Sequence, residues 1–222
     1  MTRIIHQTWK AADNIPRQKY PEAWQESWSG LHPEWEYRFW TDGDNLDLVE
    51  THYPEFLAGY RKIGVGVIKS DIARVLYLHR FGGMYADMDF ACLRPFDDLV
   101  KALGRFILVG THRQPRQPIP NAWLYAPAGD DFWLRMVDDA LRDLRDGKTK
   151  IEAICGPDRL LWALDKYAPD HARLPYQVIY PFAWGVERPF DRDEPGYDWG
   201  NLDSLRRAFP QSLAVTSWAH NW

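Results

Sequence analysis

At 222 residues with 45% hydrophobic content, the chain can bury a substantial core, and its length fits one domain spanning residues 1–222. Its net charge of −4 arises from Lys, Arg, Asp and Glu scattered along the sequence, so no nucleic-acid partner is expected; such partners demand a basic face or stripe. No run of 18 apolar residues occurs, which excludes a transmembrane helix, and the apolar stretch near the start ends after Ile4 and Ile5, too short for a secretory signal.

A cytoplasmic location is the resulting expectation, with peripheral contact at a membrane surface left open. Cys92 and Cys155 fit a reducing compartment, and neither has Cys or His neighbours at zinc spacing. The 12 Trp, 11 Tyr and 10 Phe are numerous for this length. Aromatic rings suit sugar faces and nucleobases, although a Trp-rich core explains any one of them.

In chain order, Arg3 to Ile5 reads as a short buried strand that delivers His6, Gln7, Thr8 and Trp9 at its C-terminal end. A helix is predicted over Pro21 to Ser29. A strand follows over Trp35 to Trp40, running into a turn at Thr41 to Asp44. Short helices are predicted at Leu46 to Thr51 and Glu55 to Arg61. Lys69 to Arg80 carries the clearest helical period, through Ile72, Val75, Leu76 and His79, with Ser70 as N-cap and Gly82-Gly83 as the stop.

Met84 to Ala86 is then a short strand leading to Asp87-Met88-Asp89. Strands are expected at Phe106 to Val109, Ala122 to Tyr125 and Val178 to Tyr180, and helices at Asp131 to Arg145 and Pro157 to Tyr167. The segments Gln114 to Pro120 and Glu187 to Tyr197 read as surface loops. Strands alternating with helices imply an α/β sheet flanked by helices, with functional loops at the strands' C-terminal ends.

Asp87 and Asp89 carry the chemical signal. Carboxylates at i and i+2 of an extended strand point to one face and can share a divalent cation. Oxygen ligands suit Mg²⁺ or Mn²⁺, ions usually held by one or two carboxylates plus substrate phosphates. One helix upstream, Asp71 and Arg74 stand at i and i+3 and project from one side. They fit either contacts to a ribose, sugar or phosphate, or a local ion pair answering the helix dipole.

Three runs together resemble a known family: Ile4 to Lys10, Trp35 to Asp42, and Lys69 to Asp89 with its helix, Gly82-Gly83, Tyr85 and D-x-D in order. The resemblance is to the D-x-D sugar transferases. These include the fungal initiation-specific mannosyltransferases, bacterial capsular polysaccharide transferases and, remotely, the large glucosylating toxins. It implies a GT-A type fold, a Rossmann-like mixed sheet flanked by helices. It also implies dependence on Mn²⁺ or Mg²⁺ and transfer of a sugar from a UDP- or GDP-sugar to a glycan or other hydroxyl acceptor, with retention of configuration.

By the same resemblance, Trp9 stacks on the nucleobase with Gln7 beside it, Asp71 and Arg74 contact the donor's sugar and ribose, and Tyr85 lies beside the donor. Asp89 ligates the metal directly, Asp87 contacts ribose and metal-bound water, and Asn121 lies near the transferred sugar. Lys69 joins the donor site, and Gly156-Pro157 opens a helix on the acceptor side. In the tail, Trp222 matches a residue closing over the diphosphate. Thr216 stands where relatives have His, and Asn221 where they have Ser, so Asn221 and His220 both remain candidates for a further metal ligand.

Two rival readings exist. A D-x-D phosphatase normally carries its motif near the N-terminus with Thr or Val close behind, whereas Phe90-Ala91 follows here. A sugar- or calcium-binding module would share the aromatic residues and the acidic pair, but would not turn over a nucleotide sugar.

Overall fold

The structure, a computed structural model, describes residues 2–111, 118–182 and 200–219. The chain begins with β1 (Ile4–Thr8), α1 (Glu22–Leu31) and β2 (Glu36–Trp40), followed by α2 (Asp42–His52), α3 (Pro54–Arg61) and the long α4 (Gly66–Phe81). Next come β3 (Gly83–Ala86), β4 (Phe90–Cys92), α5 (Asp97–Leu103), β5 (Ile107–Gly110) and β6 (Trp123–Ala126). The remainder comprises α6 (Phe132–Arg145), α7 (Ile151–Ile154), α8 (Pro157–Tyr167), β7 (His171–Leu174), α9 (Tyr176–Ile179), α10 (Leu202–Ala208) and β8 (Ala214–Thr216).

Six strands form one mixed sheet in the order β2-β1-β3-β6-β5-β7. β1 pairs parallel with both β2 and β3, while β6 runs antiparallel to β3 and β5. β4 and β8 form a separate antiparallel pair in which Phe90 faces Thr216. One apolar layer joins α4, α6 and α8 through Ile72, Val75, Leu76, Trp133, Met136 and Leu160. Another gathers Trp28, Phe90, Phe96, Trp123 and Tyr180. Five tryptophans, Trp24, Trp28, Trp35, Trp123 and Trp133, are core residues, in keeping with the large buried area that each ring contributes. The expected α/β sheet flanked by helices is present.

Several local expectations are corrected. α4 begins at Gly66, a turn before the expected start, with Val65 at the N-cap, so Ser70 lies inside the helix. Thr41 to Asp44 is no free turn. Thr41 caps α2 in a reciprocal capping box with Asp44, the i, i+3 pairing that satisfies two orphan helix donors. Val178 to Tyr180, expected as a strand, lies at and just after α9, which Pro175 precedes; three β-branched and aromatic residues are too few to fix a period. Both cysteines are buried and free, and no described helix is long and apolar enough to cross a membrane.

Candidate active site

The site is built where α4 ends. Gly82 and Gly83 have φ of +64° and +97°, and a Cβ on either would lie 2.6 Å from the Ala128 amide or 2.4 Å from the Ile4 carbonyl oxygen. Only glycine satisfies both the left-handed backbone and the close approach. His6, wholly buried, secures the turn by donating from Nε2 to the Gly82 carbonyl at 2.9 Å while Nδ1 accepts from Trp40 Nε1 at 3.1 Å. Burial lowers its pKa to about 4, which keeps the ring neutral and matches that donor and acceptor pattern.

β3 then delivers the acidic pair, but not on an extended strand as expected. The Asp87 amide donates to the Ala122 carbonyl at 2.9 Å, and its own carbonyl accepts from Phe90 N at 3.2 Å and from Gln7 Nε2 at 3.1 Å. Those bonds close a turn through residues 87–89, so the two-residue alternation of a strand no longer applies. Gln7 is fixed in turn by Tyr37, whose hydroxyl donates to Oε1 at 2.8 Å.

The Asp87 carboxylate accepts from the Tyr85 hydroxyl at 2.6 Å and lies 3.3 Å from Arg74 Nη1. Arg74 is 1% exposed. It also donates to the Asn121 carbonyl at 2.9 Å, pairs with Asp71 at 2.9 Å, and lies over the Tyr85 ring at 4.7 Å. Burial, the largest single effect, disfavours its charge, but Asp87, Tyr85 and Asp71 outweigh it and keep the guanidinium protonated. Asn121 completes the group by donating to Asp71 at 3.0 Å and to the Cys155 carbonyl at 3.3 Å. Five predicted residues, Asp71, Arg74, Tyr85, Asp87 and Asn121, thus form one interlocked cluster. Asp71 and Arg74 form a buried ion pair inside that cluster.

Asp89 faces the chain's C-terminal segment. Its Oδ2 accepts from the Ala219 amide at 2.9 Å and the Thr216 hydroxyl also favours the ionised carboxylate, whereas Oδ1 is buried with no protein group in hydrogen-bond distance. Burial first, and the neighbouring Asp87 second, raise its pKa to about 7. Asp71 is raised to about 6, mainly by burial, against the pull of Arg74. When ionised, these three carboxylates and one guanidinium carry a net charge of −2. That deficit and the orphaned Oδ1 fit a divalent cation; unpartnered buried acceptors are otherwise rare and costly. Among the described residues no three His, Cys, Asp or Glu side chains converge into a protein cage.

Trp9 projects from the end of β1, half-buried, its ring 4.9 Å from Tyr20 in a small cluster with Ile15, Met88 and Phe39. Met88 belongs to the acidic turn, so the aromatic platform adjoins it. Lys69 sits in the first turns of α4, partly exposed over the Tyr60 ring at 5.7 Å. His220, Asn221 and Trp222 lie outside the described residues. Sequence reasoning missed Tyr180, Trp218 and Ala219. Tyr180 and Trp218 stack at 5.3 Å beside the acidic turn, and Ala219 acts through its backbone, which leaves no side-chain signature.

The raised carboxylates give a testable pH dependence. Both native pKa values exceed the reference near 3.9, so between about pH 4 and 7 the native state binds more protons than the unfolded chain. Stability contributed by these groups therefore falls as pH rises. Replacing Asp71 by Asn removes its share. In metal-free buffer the stability of Asp71→Asn relative to wild type is expected to grow from pH 4 to 6 and to stay constant above. Urea midpoints at four pH values measure this; a difference independent of pH would contradict the assignment.

Residues 19–103 match the model of a family described as the glycosyltransferase sugar-binding region containing the DXD motif. The inositol phosphoceramide mannosyltransferase 3 of Schizosaccharomyces pombe is 38% identical over 101 residues, 44% of this chain and 27% of that protein. The initiation-specific alpha-1,6-mannosyltransferase of Saccharomyces cerevisiae is 31% identical over 98 residues, 42% of this chain and 20% of that protein. The matched segments span about a quarter of those relatives' length. Among solved structures, the PaToxG glycosyltransferase superposes with a TM-score of 0.61 at 18% identity, covering 75% of this chain and 69% of that one. The galactosyltransferase LgtC in complex with donor and acceptor sugar analogs gives 0.51 at 14%, covering 97% of this chain and 87% of that one. The resemblance read from the motif holds, and the fold is that of the GT-A glycosyltransferases.

Proposed function

We propose that the chain is a glycosyltransferase that moves a hexosyl group from a nucleotide sugar to a hydroxyl acceptor, using a divalent metal at Asp89 and Asp87. The carrying observation is the buried Oδ1 of Asp89, which no protein group reaches within hydrogen-bond distance, beside the Asp87 carboxylate. Mn²⁺ or Mg²⁺ bound there would supply Lewis-acid neutralisation of the donor's diphosphate. Mannosyl donors are the first to test, because several similar curated proteins are mannosyltransferases by name.

The chain's own residues bind and orient. Arg74, locked between Asp71 and Asp87, holds both carboxylates in place against Asn121 and Tyr85. Pre-set charges of this kind need no rearrangement when charge develops on the leaving group. Lys69, in the first turns of α4 just before Asp71, serves the donor's negative charge in this reading. Asp71 and Asp87 are committed to contacts with Arg74, Asn121 and Tyr85, which favours transfer without either acting as a nucleophile. The acceptor oxygen bonds to the anomeric carbon on the face from which the diphosphate leaves, and its proton passes to a departing phosphate oxygen, so configuration is retained.

Trp9 carries the base in this reading. Trp9→Ala is expected to raise the donor's dissociation constant by the roughly 1–3 kcal/mol that a base–aromatic stack contributes. Circular dichroism on the same sample should remain unchanged, because the ring is only half-buried. Donor titration checks this, and wild-type affinity in the variant would move the base elsewhere. For the function as a whole, a thermal-shift panel of nucleoside diphosphates with and without Mn²⁺ is the test, since ligand binding to the native state raises the midpoint by mass action. A midpoint unmoved by every diphosphate would count against the proposal.

A further inference from the structure

Trp218 is one of two non-glycine residues with positive φ in the described chain, at +52°. A bulky residue there is uncommon, and such outliers concentrate where surrounding structure enforces them for function. Here the enforcement is visible. The Trp218 amide donates to Thr216 Oγ1 at 2.9 Å, its indole N–H donates to the Phe182 carbonyl at 3.2 Å, and its ring stacks on Tyr180 at 5.3 Å and 21°. Tyr180 is itself immobilised. It is 1% exposed, edge-on to Phe90, and pressed so closely on Gly110 that a Cβ there would come within 2.5 Å of its ring.

The reversed backbone at Trp218 sets the next residue. The Ala219 amide donates to Asp89 Oδ2, and the Ala219 carbonyl accepts from the Tyr20 hydroxyl at 3.1 Å. Tyr20 in turn packs under Trp9. One backbone unit therefore ties the carboxylate to the aromatic platform. The preceding Ser217 amide also donates to the Asp89 carbonyl at 3.0 Å, so this segment grips both the backbone and the side chain of Asp89.

We propose that Trp218 is a positioning residue: stacked on Tyr180, it holds Ala219 so that Asp89 turns its Oδ1 to the cation while Tyr20 is fixed beneath Trp9. This rests on the metal reading above. It predicts that metal affinity depends on a ring that supplies no ligand atom, and that metal binding and base binding weaken together.

The test uses the whole chain with Mn²⁺ and UDP or GDP in a calorimeter, with amide hydrogen exchange of residues 214–219 followed alongside. Trp218→Gly adopts the left-handed backbone freely but lacks the ring. It should lose at least tenfold in Mn²⁺ affinity and at least tenfold in exchange protection at Ser217 and Ala219, while Trp218→Phe stays within threefold of wild type on both. Tyr20→Phe, which keeps its ring and removes only the hydroxyl, serves if the glycine variant does not fold; it should weaken Mn²⁺ and diphosphate at least threefold. Wild-type Mn²⁺ affinity in Trp218→Gly or Tyr20→Phe would overturn the proposal. Asp89→Ala separates the two levels. If it binds no Mn²⁺ while Trp218→Gly binds normally, only the positioning role fails; if it too binds Mn²⁺ normally, the metal reading fails and this proposal with it.

Discussion

Asp89→Ala is expected to reduce transfer at least ~10³-fold, about 4 kcal/mol, and to abolish the Mn²⁺ dependence of nucleoside diphosphate binding; a preorganised charge at a developing anion contributes on that order. The fold should survive. Burial and Asp87 both oppose the ionised Asp89 carboxylate, so its removal relieves an unfavourable charge and leaves only the Ala219 amide to find water. Thermal unfolding of the metal-free variant should occur at or above the wild-type temperature at neutral pH. A marked loss of stability would make Asp89 a structural residue instead. Asp87→Ala differs, because its carboxylate also receives Tyr85 and Arg74, so both donor binding and stability should decline.

Arg74→Ala should produce the largest loss of stability. The guanidinium is 1% exposed and stands between Asp71 and Asp87, and removing one partner of a buried ion pair typically costs about 3–5 kcal/mol because the other charge stays buried and unpaired. Urea unfolding measures this. Arg74→Lys should recover little, since a compact ammonium cannot reach two carboxylates and the Asn121 carbonyl together while lying flat over Tyr85. Loss below 1 kcal/mol would mean that the cluster tolerates its own repulsion. The loss should shrink in acid, where Asp71, raised to about 6, takes up a proton.

Much of this arrangement was legible in the sequence. The period of Ile72, Val75 and Leu76 marked α4, the Gly82-Gly83 break marked its end, and the acidic pair followed at the motif's spacing. The extended geometry assigned to Asp87 and Asp89 was not correct, because two long-range bonds, to the Ala122 carbonyl and from Gln7, join a local turn bond from Phe90 in bending the chain there, and no local rule anticipates the long-range pair. Nor could the sequence reveal that the Tyr85 hydroxyl donates to Asp87 in the core. β4 and β8 were invisible for a related reason. Each has three residues, and their pairing across more than a hundred positions depends on contacts that periodicity does not encode.

The most direct measurement is release of nucleoside diphosphate from UDP- and GDP-hexoses, with Mn²⁺ and then with excess chelator, for the wild type and Asp89→Ala. The account predicts slow release by the wild type from at least one donor, lost with chelator and lost in the variant, and accelerated by an added hydroxyl acceptor. Release that persisted in chelator or in Asp89→Ala, or no release from any donor, would contradict it.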